Sequence, residues 1–345
     1  MVELLDDLAV FSDGRHNAWT GMAAFRGRYY VAFRNALRHT CVRSSIFLIT
    51  SQDGRSWSPP TSLPSLDYRW AWHDNCQMFV FRERLFLRAA TLWPGPTGPD
   101  LVGQSTIFTE DGLWWSEPDW SVPVGFLNWG TATFEGKLYG CFVPRNTMGV
   151  GVLASSDDGL HWTTISSFGD SWAYGLAITP EGEAFTAGYT HSADKRGVCD
   201  RLLRSRPPFT RWSESPLGAD VHAPMFGLVN ERLLMAGRIG HEKHMRYELG
   251  PCTAIFEFDG ERFVERVRLP ETYDCGYNGI VPCMDRPQEA LISDYRGLRV
   301  GLPPNRWYPG LEQRRGGALF SRYEGHAIPA RADIHVLRVR VASGQ

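Results

Sequence analysis

The sequence predicts an all-β protein, a six-bladed β-propeller with four antiparallel strands per blade. Three observations carry that expectation. Short runs rich in β-branched and aromatic residues alternate with Gly, Asp and Asn turns, while helix signals are scarce. One hairpin pattern recurs six times along the 345 residues. A second motif, an Asp-Gly turn closed by an aromatic residue, returns in phase with it.

The hairpins pair two apolar runs around a tight polar turn. In chain order they read "GMAAFRGRYYVAFR", "QMFVFRERLFLRAA", "TATFEGKLYGCFV", "LAITPEGEAFTAGY", "MFGLVNERLLMAGR" and "GIVPCMDRPQEALISDY". Their turns centre near Gly27, Glu83, Gly136, Gly182, Glu231 and Arg286, at steps of 56, 53, 46, 49 and 55 residues. A third strand follows each of the first five hairpins, as in "SIFLITS" and "TAIFEF". The chain then reaches Trp57, Trp115, Trp162, Trp212 or Phe263, which lie 30, 32, 26, 30 and 32 residues beyond their turns. The last unit closes with "ADIHVLRVRV". Four strands in about 50 residues, repeated six times, is the period of a propeller. The chain is read as one domain, 1–345, with blades at 8–64, 65–122, 123–170, 171–217, 218–271 and 272–345.

The second motif reads "SQDGRSW" at 51–57, "TEDGLWW" at 109–115 and "SDDGLHW" at 156–162, with a weaker copy, "EFDGERF", at 257–263. Asp accepts hydrogen bonds from turn amides, Gly takes the left-handed conformation, and the aromatic residue packs between units. The motif is therefore scaffold, not chemistry.

Composition narrows the class. A net charge of −2 with no basic run excludes a phosphate-binding surface for nucleic acid. No segment approaches the ~20 apolar residues of a membrane-spanning helix. Acidic residues stand in "MVELLDDLAV" where a signal peptide would be basic, so a cytoplasmic protein is expected. Seven scattered cysteines without a CxxC pair suit free thiols in that compartment. No cofactor is indicated. His241-Glu-Lys-His244 only superficially resembles a metal pair, and no metal is expected.

The Asp-Gly strings resemble the Asp-boxes, or BNR repeats, of the sialidase (neuraminidase) superfamily, each one residue shorter than the fullest form. With six blades, the resemblance spans essentially the whole chain. It implies a glycoside hydrolase and allows site residues to be carried over position by position. Tyr277, in "GYNGIV", stands where the family has its nucleophilic tyrosine. Arg238 matches a carboxylate-binding arginine, and His222, or nearby Asp220, stands in the place of a glutamate. Three positions depart. "HNAWTGMAAF" lacks the first arginine, and "FRNALRHTCVRSS" offers Arg34, Arg38, His39 and Arg43 but no acid/base aspartate. The third arginine has only Arg246 as a candidate. The resemblance is to a divergent member, without efficient cleavage of ordinary sialosides.

In a propeller the inner strands aim one end at a shared axial funnel. Their entrances here hold His16, Asn17 and Trp19, then Trp70, Trp72, His73 and Asp74, then Asn128 and Trp129. Trp172 and Tyr174, Asp220 and His222, and Tyr273, Asp274 and Tyr277 complete the ring. The exits of the second strands add Arg34, Arg88, Arg145, Tyr189, Arg238 and Asp294. Trp19, Trp72, Trp129 and Trp172 suit stacking on sugar rings, and Arg34, Arg88, Arg145 and Arg238 suit a carboxylate or phosphate.

Tyr277 is the candidate nucleophile or stabiliser, needing Asp274 or His222 within reach because a free phenol titrates near pH 10. His39, His73, Asp74 and His222 are candidate proton donors or acceptors, and Asp74 with Asp274 could form a glycosidase pair. Three functions remain open. One is a hydrolase of an acidic or unusual sugar, another a lyase using a Tyr/His pair beside an arginine, the third a non-catalytic glycan- or protein-binding propeller. The expected partner is a small saccharide or glycosylated metabolite.

Overall fold

The computed structural model describes residues 2–36, 44–63, 72–93, 101–123, 125–144, 150–190, 198–240, 249–298 and 331–342, with the backbone alone for 72–74, 92, 93, 101, 102 and 190. Among them there is no helix. The strands form sheets of nine, four, seven and three members, paired antiparallel except for one parallel bridge between His16 and Ala332.

All six expected hairpins form. Four turn on two residues: Arg26-Gly27, Arg82-Glu83, Glu135-Gly136 and Asn230-Glu231 carry φ between 45° and 74° at both central positions. Such mirror-image turns match the right-handed twist of the strands they join, which explains the register Phe25↔Arg28, Phe81↔Arg84, Phe134↔Lys137 and Val229↔Arg232.

The recurring Asp-Gly turns share one hydrogen-bond plan. Asp53 Oδ1 accepts from the amides of Arg55 and Ser56, both at 2.8 Å, and Gly54 N donates to Ser51 Oγ at 2.8 Å. Asp111, Asp158 and Asp259 each accept from the second and third amides downstream in the same way. The two backbone donors hold the Asp53 carboxyl well below the ordinary carboxylate range.

Three of these turns, all but that at Gly260, also lock onto the preceding hairpin. A Cβ on Gly54 would meet Leu291, one on Gly112 the Tyr30 hydroxyl, and one on Gly159 the Phe86 ring at 2.7 Å. The closing aromatics fill the space between sheets, as where Trp212 Nε1 donates to Ser166 Oγ of the preceding sheet at 3.1 Å. Gly159→Ala would combine a ring clash with φ +85°, a conformation that alone costs about 1–3 kcal/mol for a non-glycine residue. Its urea midpoint is expected to fall by a corresponding amount at unchanged slope, whereas a midpoint equal to the parent's would contradict this packing.

One strand runs unbroken from Ser213 to Val229 across the expected boundary at 217/218, pairing with Val198–Ser205 and then with Arg232–Ile239 within the seven-stranded sheet. The chain ends differ from expectation. Arg331–Val341 is not outermost, because Val2–Phe11 pairs along it from Val2↔Val341 to Phe11↔Ile334. The first strand thereby covers an edge that would otherwise expose unpaired amides and carbonyls.

Strands that open successive hairpins approach one another backbone to backbone. Gly21 lies against the Cys76 carbonyl, and Asn75 Nδ2 donates to Asn128 O at 3.1 Å. Cβ atoms on Gly130, Gly175, Gly227 and Gly279 would lie 2.5–2.6 Å from Leu176 N, the Phe226 ring, Ile280 and Met22 N respectively. These contacts lead from the first hairpin to the sixth and back to the first. They bring residues as far apart as Thr20 and Tyr277, 257 positions, to one place.

Candidate functional site

Each opening strand carries one extra residue at the same relative position. The pairings skip a residue around Trp19, Asn75, Trp129, Gly175, Ala223 and Tyr277. Five of the six have positive φ: 57° at Trp19, 53° at Asn75, 66° at Gly175, 49° at Ala223 and 52° at Tyr277. A bulge bends its strand and re-aims the adjoining side chains. At Trp19 and Tyr277 the left-handed conformation costs on the order of 1–3 kcal/mol, so the surroundings must fix it.

Tyr277, partly exposed, stands at the centre of the group so formed. Its ring centroid lies 5.6 Å from Trp129, 6.1 Å from His222, 6.3 Å from Trp19 and 6.4 Å from Tyr295. The Arg238 guanidinium carbon lies 5.8 Å from the same ring. Arg34 stacks on Trp19 at 4.6 Å. Trp172 stands farther out, reached through Tyr189 at 5.7 Å, which stacks on Tyr174 at 5.3 Å, which in turn meets Trp129 at 4.6 Å.

Beneath this group Asp274 is fully buried. The Tyr295 hydroxyl donates to its Oδ1 at 2.9 Å, Arg238 Nη1 lies 3.3 Å from Oδ1, and His16 Nε2 lies 3.7 Å from Oδ2. Burial pushes the Arg238 guanidinium toward losing its proton, but Tyr295, Asp274 and Tyr277 more than offset this and keep it charged. Burial, helped by the Asp274 charge, pushes the Tyr295 phenol well above its ordinary value, so Tyr295 is a hydrogen-bond donor and not a base.

A cavity of ≈ 120 Å³ lies next to the group, lined by Thr20, Gln77, Thr131, Leu176, Met225 and Asn278 among others, so that every opening strand contributes. It has room for several waters, and both polar atoms of the Gln77 amide, at 6 % exposure, lack a protein partner there.

Of the residues expected from sequence, Tyr277, His222, Asp274, Arg238, Arg34, Trp19 and Trp129 come together, with Trp172 at the margin. Trp72, His73 and Asp74 begin the strand Trp72–Phe81, but their side chains lie outside the described residues, as do His39, Arg145, Arg246 and His241–His244. Asp220 is exposed. Arg88 belongs elsewhere. Fully buried, it donates to Thr106 Oγ1 at 3.0 Å and to the Gly159 carbonyl at 2.9 Å, with its guanidinium over Trp162 at 4.9 Å. Burial pulls it down to about 9, against the charge of Asp119. It ties one sheet to the next Asp-Gly turn. Arg88→Met is expected to cost about 1–3 kcal/mol in denaturant unfolding, since it orphans a buried carbonyl and hydroxyl. Turnover and ligand affinity should not change, and a loss of either in a stably folded variant would return Arg88 to the site.

Sequence reasoning placed His16 at the mouth without giving it a role, and it missed Tyr295. The only available signal for Tyr295 was its place at the exit of a second strand, beside Asp294.

No protein-family model matches the chain, and no curated protein matches it. Solved structures do. Over 99 % of both chains it is similar to a protein of unknown function from Dyadobacter fermentans DSM 18053, with a TM-score of 0.72 and 16 % identity. The Trypanosoma rangeli sialidase in complex with sialic acid matches 95 % of this chain with a TM-score of 0.63 and 9 % identity. The Hadza microbial sialidase Hz136 matches 81 % with a TM-score of 0.59 and 13 % identity. The fold is sialidase-like. The chain spans 55 % of the length of the trypanosomal enzyme and 63 % of the microbial one. On this sialidase-like frame, His222 and Arg238 pair with each other across the fifth hairpin, and Tyr277 comes from the segment that opens the sixth.

Proposed function

We propose that the chain is a six-bladed, sialidase-like propeller that hydrolyses an acidic or unusual sugar at the mouth of its axis. The observation that carries this reading is the convergence of Tyr277, Arg238 and His222 among aromatic rings. The six hairpins, their circuit of backbone approaches and the sialidase-like neighbours support the blade count. In this reading the last blade takes Val2–Phe11 as its outer strand. The substrate is a small saccharide or glycosylated metabolite, and the likeness of the fold to a sialidase bound to sialic acid supports a saccharide partner.

The roles follow from the side chains. Arg238 is charged and faces the Tyr277 ring, so it attracts a substrate carboxylate and favours the phenolate over the phenol. His222, its ring 6.1 Å from that of Tyr277, exchanges protons with the Tyr277 hydroxyl or the leaving group. Tyr277 attacks the anomeric carbon or stabilises the positive charge that develops there. Trp19 and Trp129 border the ring-binding space.

A second reading is elimination beside a uronate carboxylate. One observation favours it: among the described side chains the cluster's carboxylate is Asp274, fully buried and engaged by Arg238, Tyr295 and His16. A Tyr/His pair near an arginine serves proton abstraction without a second acid. The experiment offers acidic oligosaccharides and aryl glycosides to wild-type protein and Tyr277→Phe. New reducing ends and the ultraviolet absorbance of an unsaturated uronate are followed together. Reducing ends alone, lost in the variant, support hydrolysis, and both signals together mean a lyase. Silence in both channels means a binding propeller.

A further inference from the structure

The left-handed conformation of Tyr277 is held from both sides by one carboxylate. Asp294, fully buried in the middle of the strand Glu289–Leu298, accepts at Oδ1 from Gly276 N at 3.3 Å and from Asn278 Nδ2 at 3.1 Å. These are the residues immediately before and after Tyr277. The same oxygen accepts from Thr253 Oγ1 at 2.8 Å, and Arg296 Nε donates to Oδ2 at 3.3 Å. Arg296 is anchored in turn by Asp7 on the first strand, Nη1 to Oδ2 at 2.8 Å. The Tyr277 carbonyl accepts from Thr20 Oγ1 at 2.8 Å, so the peptide on its far side is fixed as well.

We propose that Asp294 is a positioning residue that sets the backbone of Tyr277, and through it the direction of the phenol toward Arg238 and His222. The proposal rests on reading Tyr277 as the reacting group. Asp294 does not act on substrate itself, because it has no exposed surface and both oxygens are engaged. Its grip also differs from that of Asp274, which engages the side chains of Tyr295, Arg238 and His16. A bulged, non-glycine residue at positive φ persists only where its surroundings over-determine it, and Asp294 supplies the two bonds that flank this one. A 1 Å displacement of a reacting group can cost on the order of 10²-fold in rate.

The test replaces Tyr277 by 3-fluorotyrosine in the full chain and records its fluorine resonance, a readout that needs no substrate. Three changes are compared with the parent: Asp294→Ala, Asn278→Ala and Thr253→Val. Thr253→Val removes a bond to the same carboxylate without touching the flanks of Tyr277. Asp294→Ala is expected to shift or exchange-broaden the resonance, Asn278→Ala to do so in part, and Thr253→Val to leave it narrow and in place. Asp294→Asn, which keeps an acceptor, should restore most of the parent signal. With a substrate from the panel above, kcat should fall by on the order of 10²-fold in Asp294→Ala at nearly constant KM. An unchanged resonance in folded Asp294→Ala would overturn the proposal, as would equal changes in Thr253→Val and Asn278→Ala. Should Asp294→Ala not fold, the other three variants decide by the same criterion. A protein without turnover whose fluorine signals move as expected would sink the glycosidase reading and leave the positioning role standing.

Discussion

Tyr277→Phe is expected to lower turnover by at least 10²–10⁴-fold, the range associated with losing a positioned proton-transfer group, with a further loss if the phenol is the nucleophile. The fold should survive, because the bonds that fix the backbone at Tyr277 run through its carbonyl and its neighbours and not through its ring. The residue's carbonyl is held by Thr20 and its neighbours by Asp294, and both holds persist in phenylalanine. Circular dichroism and the thermal midpoint should therefore match the parent while the rate collapses. A variant retaining more than about a tenth of the parent rate would remove Tyr277 from the chemistry.

Asp274→Ala should fail in the opposite manner, through stability. It strips Arg238 of its buried counter-charge, leaves the Tyr295 hydroxyl without its acceptor and removes the carboxylate beside His16. Breaking one partner of a buried pair typically costs about 3–5 kcal/mol, chiefly because the remaining charge is left uncompensated. The same chain with Arg238→Met added should recover part of that loss, since contacting residues are not additive. Urea denaturation of the two single variants and the double variant measures both effects. A single variant within about 0.5 kcal/mol of the parent would show that Asp274 is not paired as described.

The fold was legible because it is written in short-range chemistry. Arg26-Gly27 and Glu135-Gly136 are hairpin turns by residue type, and Asp53-Gly54 announces its own amide cage. Repetition at nearly constant steps then made the larger architecture readable. The outer strand Val2–Phe11 escaped because its partner, Arg331–Val341, lies more than 300 residues away and nothing local specifies the pairing.

The site was legible only in part. Tyr277, Trp19, His222 and Arg238 could be placed together because strand ends share a mouth. Arg88 pairs with Gln77 on the turn side of its bulge, where it meets Thr106 and Gly159, whereas Arg238 pairs with His222 on the far side of its own bulge, where it meets Asp274. The bulges were invisible. Trp19, Asn75, Ala223 and Tyr277 share no side-chain type, and what unites them is backbone geometry imposed by the crowding of neighbouring strands. Asp294 was seen as a strand exit, but its grip on the Tyr277 backbone depends on that same geometry.

The most direct test of the central claim is covalent trapping. The protein would be incubated with fluorinated acidic glycosyl fluorides, and its peptides mapped by mass. Attack by the Tyr277 phenolate would form a carbon–oxygen bond and release fluoride, so the account predicts one glycosyl adduct on the peptide carrying Tyr277, absent in Tyr277→Phe. An adduct at another residue, with Tyr277→Phe labelled as fully as the parent, would contradict it.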